Sequence, residues 1–494
     1  MPIADSTLGR HPLEGQQAHV RNVFLRLLGV MFVIAFWSLG SQVVLLYGRD
    51  GLLPARELLE LCRTRISPWQ MPTVFWCGAS DTVLQLGCVA GAVLGFGLIL
   101  DLAPFACLLG SWLLYLSYAT IGQDFLSFQW DHLLLETALC SLFVTPWRSC
   151  AQGAPQPSRA GRFLMVWLLF RLYLESGLAK WCSGDASWRD LTAMASYYET
   201  APIPTRLAWF AHQLPLRAHQ ACTLVTFLLE LGLPLLFFGP RALKPVVFVL
   251  ALGLQLTILL TANYGFFNYL SMALCLWLLD DRHLGAWLAR LRISLEPRPA
   301  RARRRWQRLW LGAVASLLVV LTAAAFVPVI DRQQRLGWIG RIERALAPWR
   351  SINCYHLFAS MTGHRDEVII EGSDDGRSWT AYEFRYKPGE VMRPPPWVAP
   401  HQPRVDFQMW FLALRPSLDE PYFARLLRHL LIDPASVASV FATMPFADLP
   451  PRWLRVSICR YRFTDAAQRR QSGAWWQRQL LWVSRPLTRG DFAP

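Results

Sequence analysis

Long apolar stretches separated by short polar ones fill the first 328 residues. They lie near 22–47, 82–100, 103–121, 131–147, 162–181, 221–238, 245–262, 265–280 and 308–328. Each approaches the roughly 20 residues that a helix needs to cross about 30 Å of hydrocarbon. The shortest is 265–280. The pattern changes after 329. Glu367–Gly372 and Trp379–Tyr386 flank Ser373-Asp374-Asp375-Gly376, which predicts two strands around an Asp-Gly turn. Residues 421–442 repeat with helical periodicity, and Arg452–Phe463 alternates like a half-buried strand. The expected fold class is an all-α polytopic membrane domain of about nine transmembrane helices, followed by a β-rich soluble C-terminal domain with one or two helices. Trp475, Trp476 and Trp482 are read as interfacial or core positions.

Charge sets the expected orientation. The chain carries 49 basic against 34 acidic residues, a formal charge of +15, yet only 17% of its residues are charged and 53% are hydrophobic. It has no zinc-finger spacing, Walker loop or GxGxxG string, so the charge is assigned to loops that orient helices and not to nucleic acid. With the N-terminus in the cytoplasm, the cytoplasmic loops hold Arg148, Arg159 and Arg162, then Arg241 and Lys244. They also hold the long group Arg282, Arg290, Arg292, Arg298, Arg301, Arg303, Arg304 and Arg305. Four arginines in 48–81 oppose this orientation by a smaller excess. The expected organisation is a cytoplasmic segment 1–21, then a membrane domain 22–328 with exported loops 48–81 and 181–220. A cytoplasmic Arg/Pro-rich linker 281–307 lies within it, and an exported domain 329–494 follows. The first apolar run is too long for a cleaved signal and is read as an uncleaved anchor. Only Lys180, Lys244 and Lys387 are lysines, an arginine bias that points to a GC-rich genome, more bacterial than animal. The membrane would be the bacterial inner membrane in a prokaryote and that of the endoplasmic reticulum in a eukaryote. Eleven cysteines contain no CxxC and no metal spacing, so no metal is expected; exported-side disulfides stay open.

The fifth apolar stretch carries Arg171, Glu175 and Lys180. Ionisable side chains at membrane depth cost roughly 2.5–3.5 kcal/mol each and belong against protein. Arg171 and Glu175 lie i,i+4 on one helix face, as a structural intramembrane pair or as a polar seam. Lys180, near the outer helix end, either snorkels to the interface or supplies a titratable amine. In the second case it is a candidate base, with His132, Glu136 and Glu175 as partners. Asp131, His132 and Glu136 open the fourth stretch, where helix N-terminal chemistry is the plainer reading. Glu230, a lone acid in the sixth stretch, is a candidate partner for Arg171 or Lys180. The loop residues Asp185, Trp188, Arg189, Asp190, Tyr197, Tyr198 and Glu199 mix aromatics with charges, as a binding hot spot or as a self-contained loop fold.

Several long strings now converge. Phe125-Leu-Ser-Phe-Gln-Trp-Asp-His-Leu-Leu-Leu-Glu136 leads into the fourth stretch. The segment Arg171–Pro204 contains GLAK, WRDL and YETAPIP. Gly265-Phe-Phe-Asn-Tyr-Leu270 and Asp280-Asp281 bracket the eighth. The tail adds Trp379-x-x-Tyr-Glu-Phe384, Lys387-Pro-Gly389, His401-Gln-Pro-Arg-Val-Asp-Phe-Gln-Met-Trp410, Pro450-Pro-Arg-Trp-Leu-Arg455 and Tyr461-Arg-Phe463. Together, from about 25 to 465, they resemble the lipase maturation factor family. The resemblance implies a folding factor in the endoplasmic reticulum membrane that brings homodimeric secreted lipases to their active fold and is not an enzyme. It implies the bilayer and secreted lipase-like clients as partners, loop 181–220 and the tail as client-binding surfaces, and no cofactor. A shorter stretch, Gly177–Lys180 to Trp188, is similar to the membrane core of vitamin K-dependent gamma-glutamyl carboxylases. That similarity implies an alternative, an intramembrane enzyme with Lys180 as base on a lipophilic substrate. A transporter is a third class, for which the chain offers no pair of broken helices in repeated halves.

Overall fold

The computed structural model describes residues 13, 15–149, 156–290, 304–330, 337–447 and 449–492. All nine apolar stretches form helix: α1 Ala18–Gly40, α2 Asp81–Ile99, α3 Pro104–Ile121, α4 Gln129–Leu142, α5 Arg159–Cys182, α6 Leu216–Phe227, α7 Lys244–Thr261, α8 Phe267–Cys275 and α9 Arg305–Ala324. Helix α6 continues through a π-helical turn, Leu228–Gly232, into a 3₁₀ segment, Leu233–Phe238.

Six of these helical stretches are long and apolar enough to cross a membrane by length and composition. The expected count of about nine exceeds that number by α4, α5 and α8. Helix α5 has 24 residues but carries Arg171, Glu175 and Lys180. Helices α4 and α8 are short because they lie inside the bundle and face protein. Leu133, Leu134, Leu135, Phe267, Leu270 and Leu274 are all buried. Much of the cytoplasmic linker expectation, with Arg292, Arg298, Arg301 and Arg303, lies outside the described residues.

Two local devices fix the bundle. Helices α1 and α2 pack through glycines. A Cβ on Gly29 would sit 2.7 Å from the Gly95 carbonyl oxygen, so nothing larger than hydrogen fits that crossing. The N-terminus of α1 is capped by Asp281, whose carboxylate accepts from the backbone N–H groups of Ala18, His19 and Val20 at 2.9–3.0 Å. It satisfies donors that the first turn leaves unpaired, and its charge complements the helix dipole.

The tail is an antiparallel five-stranded sheet, ordered β3-β2-β1-β4-β5. The strands are β1 Arg365–Ser373, β2 Thr380–Phe384, β3 Phe441–Thr443, β4 Trp453–Phe463 and β5 Trp476–Val483. The β1–β2 turn is held by Asp375, which accepts from the N–H groups of Arg377 and Ser378 and from the Ser373 hydroxyl. The tail also holds the helices α10 Arg404–Leu414 and α11 Pro421–Ile432; with Gly337–Leu346 and Ala466–Ser472, its described residues contain more than the one or two helices expected. It sits directly on the bundle. One apolar cluster runs from Phe24 and Phe36 through Phe125 and Trp130 to Phe407, Tyr422 and Leu454. Ring contacts cross the seam, with Trp130–Phe407 at 4.9 Å and Phe125–Tyr422 at 5.4 Å between centroids.

Candidate functional site

Arg171 is the centre of the charged seam. Its Nη1 donates to Glu136 at 2.6 Å and its Nε to Glu175 at 2.8 Å, and its Nη2 donates to the Asn353 carbonyl. Tyr355 closes the ring: its hydroxyl donates to Glu136 at 2.8 Å and its N–H to Glu175 at 2.9 Å. Asn353 Nδ2 also donates to Glu136, at 2.9 Å. Both carboxylates therefore share one guanidinium and use their remaining lone pairs on residues 353–355 of the tail. Arg171 is 2% exposed, which makes the geometry decisive. Buried charges repay their desolvation only when paired and fully hydrogen-bonded.

A second buried pair ties the same two parts together. Arg404, at the start of α10, makes a fork to Asp131 at 2.6 and 2.8 Å, and Tyr115 donates to the same carboxylate at 2.5 Å. Its Nη1 also reaches the Phe125 carbonyl at 2.9 Å. The planar guanidinium suits a bidentate contact of this kind. His132, next to Asp131, accepts from Arg350 at 2.5 Å.

The loop 181–220 faces inward for much of its length. Trp188, Tyr197 and Tyr198 are buried, and Asp185 and Glu199 are partly buried; Arg189 and Asp190 are exposed. The tail uses the inward groups. Asp185 accepts from the Met361 N–H at 2.6 Å, and Trp188 donates to the Phe358 carbonyl at 3.2 Å. Glu199 accepts from the Phe463 N–H at 2.6 Å. Arg365 of β1 donates to the carbonyls of Glu199, Ala201 and Pro202 while pairing with Glu367 at 2.6 Å. Glu367 in turn pairs with Lys387 at 2.8 Å. Trp410 donates to the Thr200 carbonyl at 2.9 Å. Asn263 spans the gap, donating to the Ile203 and Pro396 carbonyls and accepting from Val398 and Ala399. The strings from loop and tail are thus two faces of one internal interface.

Lys180 lies apart from the Arg171 seam. Its ammonium donates to both oxygens of Glu230, at 2.8 and 2.9 Å, and to the Ser176 carbonyl at 3.3 Å, with the Trp188 ring 5.5 Å away. His132, Glu136 and Glu175 are engaged with Arg350 and Arg171, so the candidate base and the partners considered for it fall into separate clusters. Lys180 and Glu230 line a cavity of about 620 Å³ between α5, α6 and α7. Among the described residues, no group of three or more His, Cys, Asp or Glu could hold a metal ion.

Sequence reasoning did not single out Asn353, Tyr355, Asn263, Arg365 or Arg404 as site residues. The HQPRVD string held Arg404, and its position in a polar run gave no sign of a partner 273 residues away.

His401, a tail residue outside the membrane helices, makes a pH-sensitive contact with the end of α1. The His401 Nδ1 lies 3.0 Å from the Ser38 hydroxyl, its ring packs on Trp37 and Tyr386, and Arg404 is close by. Burial, then the Arg404 charge, pushes the His401 pKa down to about 4 from 6.5. The unfolded chain takes up this proton first. The stability is therefore full above about pH 6.5 and is lost as pH falls toward 4. The expected result is that acidification from pH 7 to 4.5 lowers the melting temperature of the wild type more than that of His401→Gln; equal pH dependence in the two would remove His401 as a cause. Burial also raises Asp406 to about 6, although its carboxylate accepts from the N–H groups of Tyr386 and Lys387, so acid acts on it in the opposite sense.

Comparison with known proteins adds the following. The sequence model described as "Lipase maturation factor transmembrane domain" matches residues 19–286, and that described as "Lipase maturation factor C-terminal domain" matches 351–486. Human "Lipase maturation factor 2" is 35% identical, over 94% of this chain and 81% of its own length. The chicken protein of the same name is 34% identical, over 93% and 80%. Bovine "Lipase maturation factor 1" is 33% identical, over 95% and 89%. No solved structure matches the chain.

Proposed function

Because the chain belongs to the lipase maturation factor family, we propose that it is a multi-pass membrane maturation factor that helps secreted lipases, or similar exported clients, reach their active folded or assembled state. In this reading all nine helices lie in the membrane domain, the N-terminus is cytoplasmic and the tail is exported. The membrane is the inner membrane in a bacterium or that of the endoplasmic reticulum in a eukaryote. Two placements support the orientation. Asp281 gathers the start of α1 to the segment that leads into the arginine-rich linker. Apart from the contacts of Asn353 and Tyr355 with Glu136, Arg171 and Glu175 inside the bundle, the tail contacts described above fall on Ser38, Phe125, Asp131, residues 185–205 and Asn263, at helix ends and loops that this orientation puts outside.

The observation that carries the client reading is the free edge of the sheet. Strand β5 is the outermost strand and pairs only with β4, and its Leu480, Leu481 and Trp482 are 58%, 44% and 46% exposed. An exposed edge with apolar side chains is a template for strand addition, and a folding subunit offers unpaired strands and apolar surface. The loop residues Arg189 and Asp190 add exposed charge on the exported side in this reading.

Deleting the gene and measuring secreted lipase activity and antigen separately tests the reading. Activity per antigen should fall severalfold. Re-expressed protein carrying Leu480→Arg and Trp482→Arg should reach the same level and melting temperature as the wild type, without restoring activity. Unchanged activity per antigen for every secreted lipase after deletion would overturn the maturation role. Full rescue by the edge variants would remove β5 from it.

A further inference from the structure

The cavity beside Lys180 has no task in the interface described above. Its volume, about 620 Å³, lies within the roughly 300–1,000 Å³ of small-molecule sites. Its outer rim is formed by α6 and α7, where the lining residues Val225 and Val249 are 50% and 59% exposed. Its inner wall is α5, where Leu172, Tyr173 and Ser176 are buried behind those helices. The π turn at Leu228–Gly232 widens α6 where the cavity meets Glu230. On α7, Gly253 lines the cavity, and a Cβ built there meets no atom within 4 Å.

The polar end of the cavity restricts what can enter. The three donors of Lys180 are spent on Glu230 and on the Ser176 carbonyl, and both Glu230 oxygens are taken by Lys180. The pair carries no net charge and has no donor left for a phosphate or carboxylate. Water is a poor filling for walls made mostly of Leu, Val, Ile, Phe and Tyr side chains, with Thr226, Gln255, Thr257 and Thr261 among the polar minority. The rim opens sideways between two membrane helices, where the neighbouring solvent is hydrocarbon.

We propose that this cavity is a binding site for an acyl chain of a bilayer phospholipid, which enters between α6 and α7 while its headgroup stays at the membrane surface. The proposal rests on the membrane-spanning reading and is independent of the client. The test uses the full chain in phosphatidylcholine nanodiscs that contain a phosphatidylcholine bearing a photoreactive diazirine and an alkyne on one acyl chain. Label should appear on the α5 lining residues Leu172, Tyr173 and Ser176, which are buried from lipid surrounding the bundle. Gly253→Phe should lose most of the α5 label by filling the space. Gly312→Phe, at another open glycine on α9, should retain it. If Gly253→Phe does not fold, Gly253→Leu places a smaller plug at the same point and is read in the same way. Absence of α5 label in the wild type, or label unchanged by the plug, would overturn the site. Labelling of α5 by a diazirine fatty acid, without labelling by the phospholipid probe, would overturn the choice of phospholipid.

Discussion

Arg171→Ala should be the most destabilising single substitution in the seam. It removes the guanidinium that neutralises two buried carboxylates at once, Glu136 at 2.6 Å and Glu175 at 2.8 Å, and it leaves the Asn353 carbonyl without that donor. Removing one partner of a buried pair costs about 3–5 kcal/mol, because the remaining charge stays buried. Here two charges remain, so the loss should sit at or above the top of that range. The measurement is thermal unfolding of the purified protein followed by tryptophan fluorescence. Arg171→Lys should recover only part of the loss, since an ammonium cannot hold Nε and Nη contacts to two carboxylates in one plane. The triple variant Arg171→Ala, Glu136→Gln, Glu175→Gln should be more stable than Arg171→Ala alone, because the stranded charges are gone. If the triple variant were no better, the damage would come from lost side-chain packing and the charge argument would be wrong.

The same seam marks how far the sequence could be read. Spacing alone puts Arg171 and Glu175 on one helix face. Glu136, 35 positions earlier on another helix, has no such local relation, and Asn353 and Tyr355 sit in a segment without periodicity. Strand β4 was legible because buried and less buried residues nearly alternate along it, and β1 and β2 because an Asp-Gly turn lies between them; β1 itself is buried on both faces. Strand β5 reads Gln477-Arg-Gln-Leu-Leu-Trp-Val483, exposed along nearly its whole length, and therefore shows no alternation. Helix α10 escaped for the opposite reason. Lying between the sheet and the bundle, it buries residues on several sides, Arg404, Asp406, Phe407 and Met409 among them, and shows no narrow apolar stripe. The polar loop with Trp188, Tyr197 and Tyr198 reads as surface because loops usually are. The tail, folding back from about 170 residues away, helps to cover those rings together with His219, Phe227 and Tyr264.

Arg404→Ala should detach the tail while leaving the bundle in place. The guanidinium is 1% exposed and its partner Asp131 is 0% exposed. Truncation strands the carboxylate, at a cost of about 3–5 kcal/mol. Two features of the site soften that cost. Asp131 keeps the Tyr115 hydroxyl at 2.5 Å, and it lies in the first turn of α4, where the helix dipole favours negative charge. Arg404→Ala should therefore cost less than Arg171→Ala. Its effect should also be local to the seam, because Arg404 is the link between α10, the α4 N-terminus and the Phe125 carbonyl. Hydrogen exchange should rise in α10, and trypsin should release the sheet domain from detergent-solubilised protein at concentrations that leave the wild type intact. Exchange in α1 and α2 should stay at the wild-type level. Pairing Arg404→Met with Asp131→Asn removes both charges and should restore protease resistance, as apolar replacements of buried ion pairs often do. A sheet that stays attached in Arg404→Ala would mean that the Arg365 clamp and Asn263 hold the tail without the fork. The maturation reading then makes a sharper demand. If the exported face acts as one rigid surface, Arg404→Ala should lose lipase-maturing activity at temperatures where the bundle is still folded, and the charge-free pair should regain it.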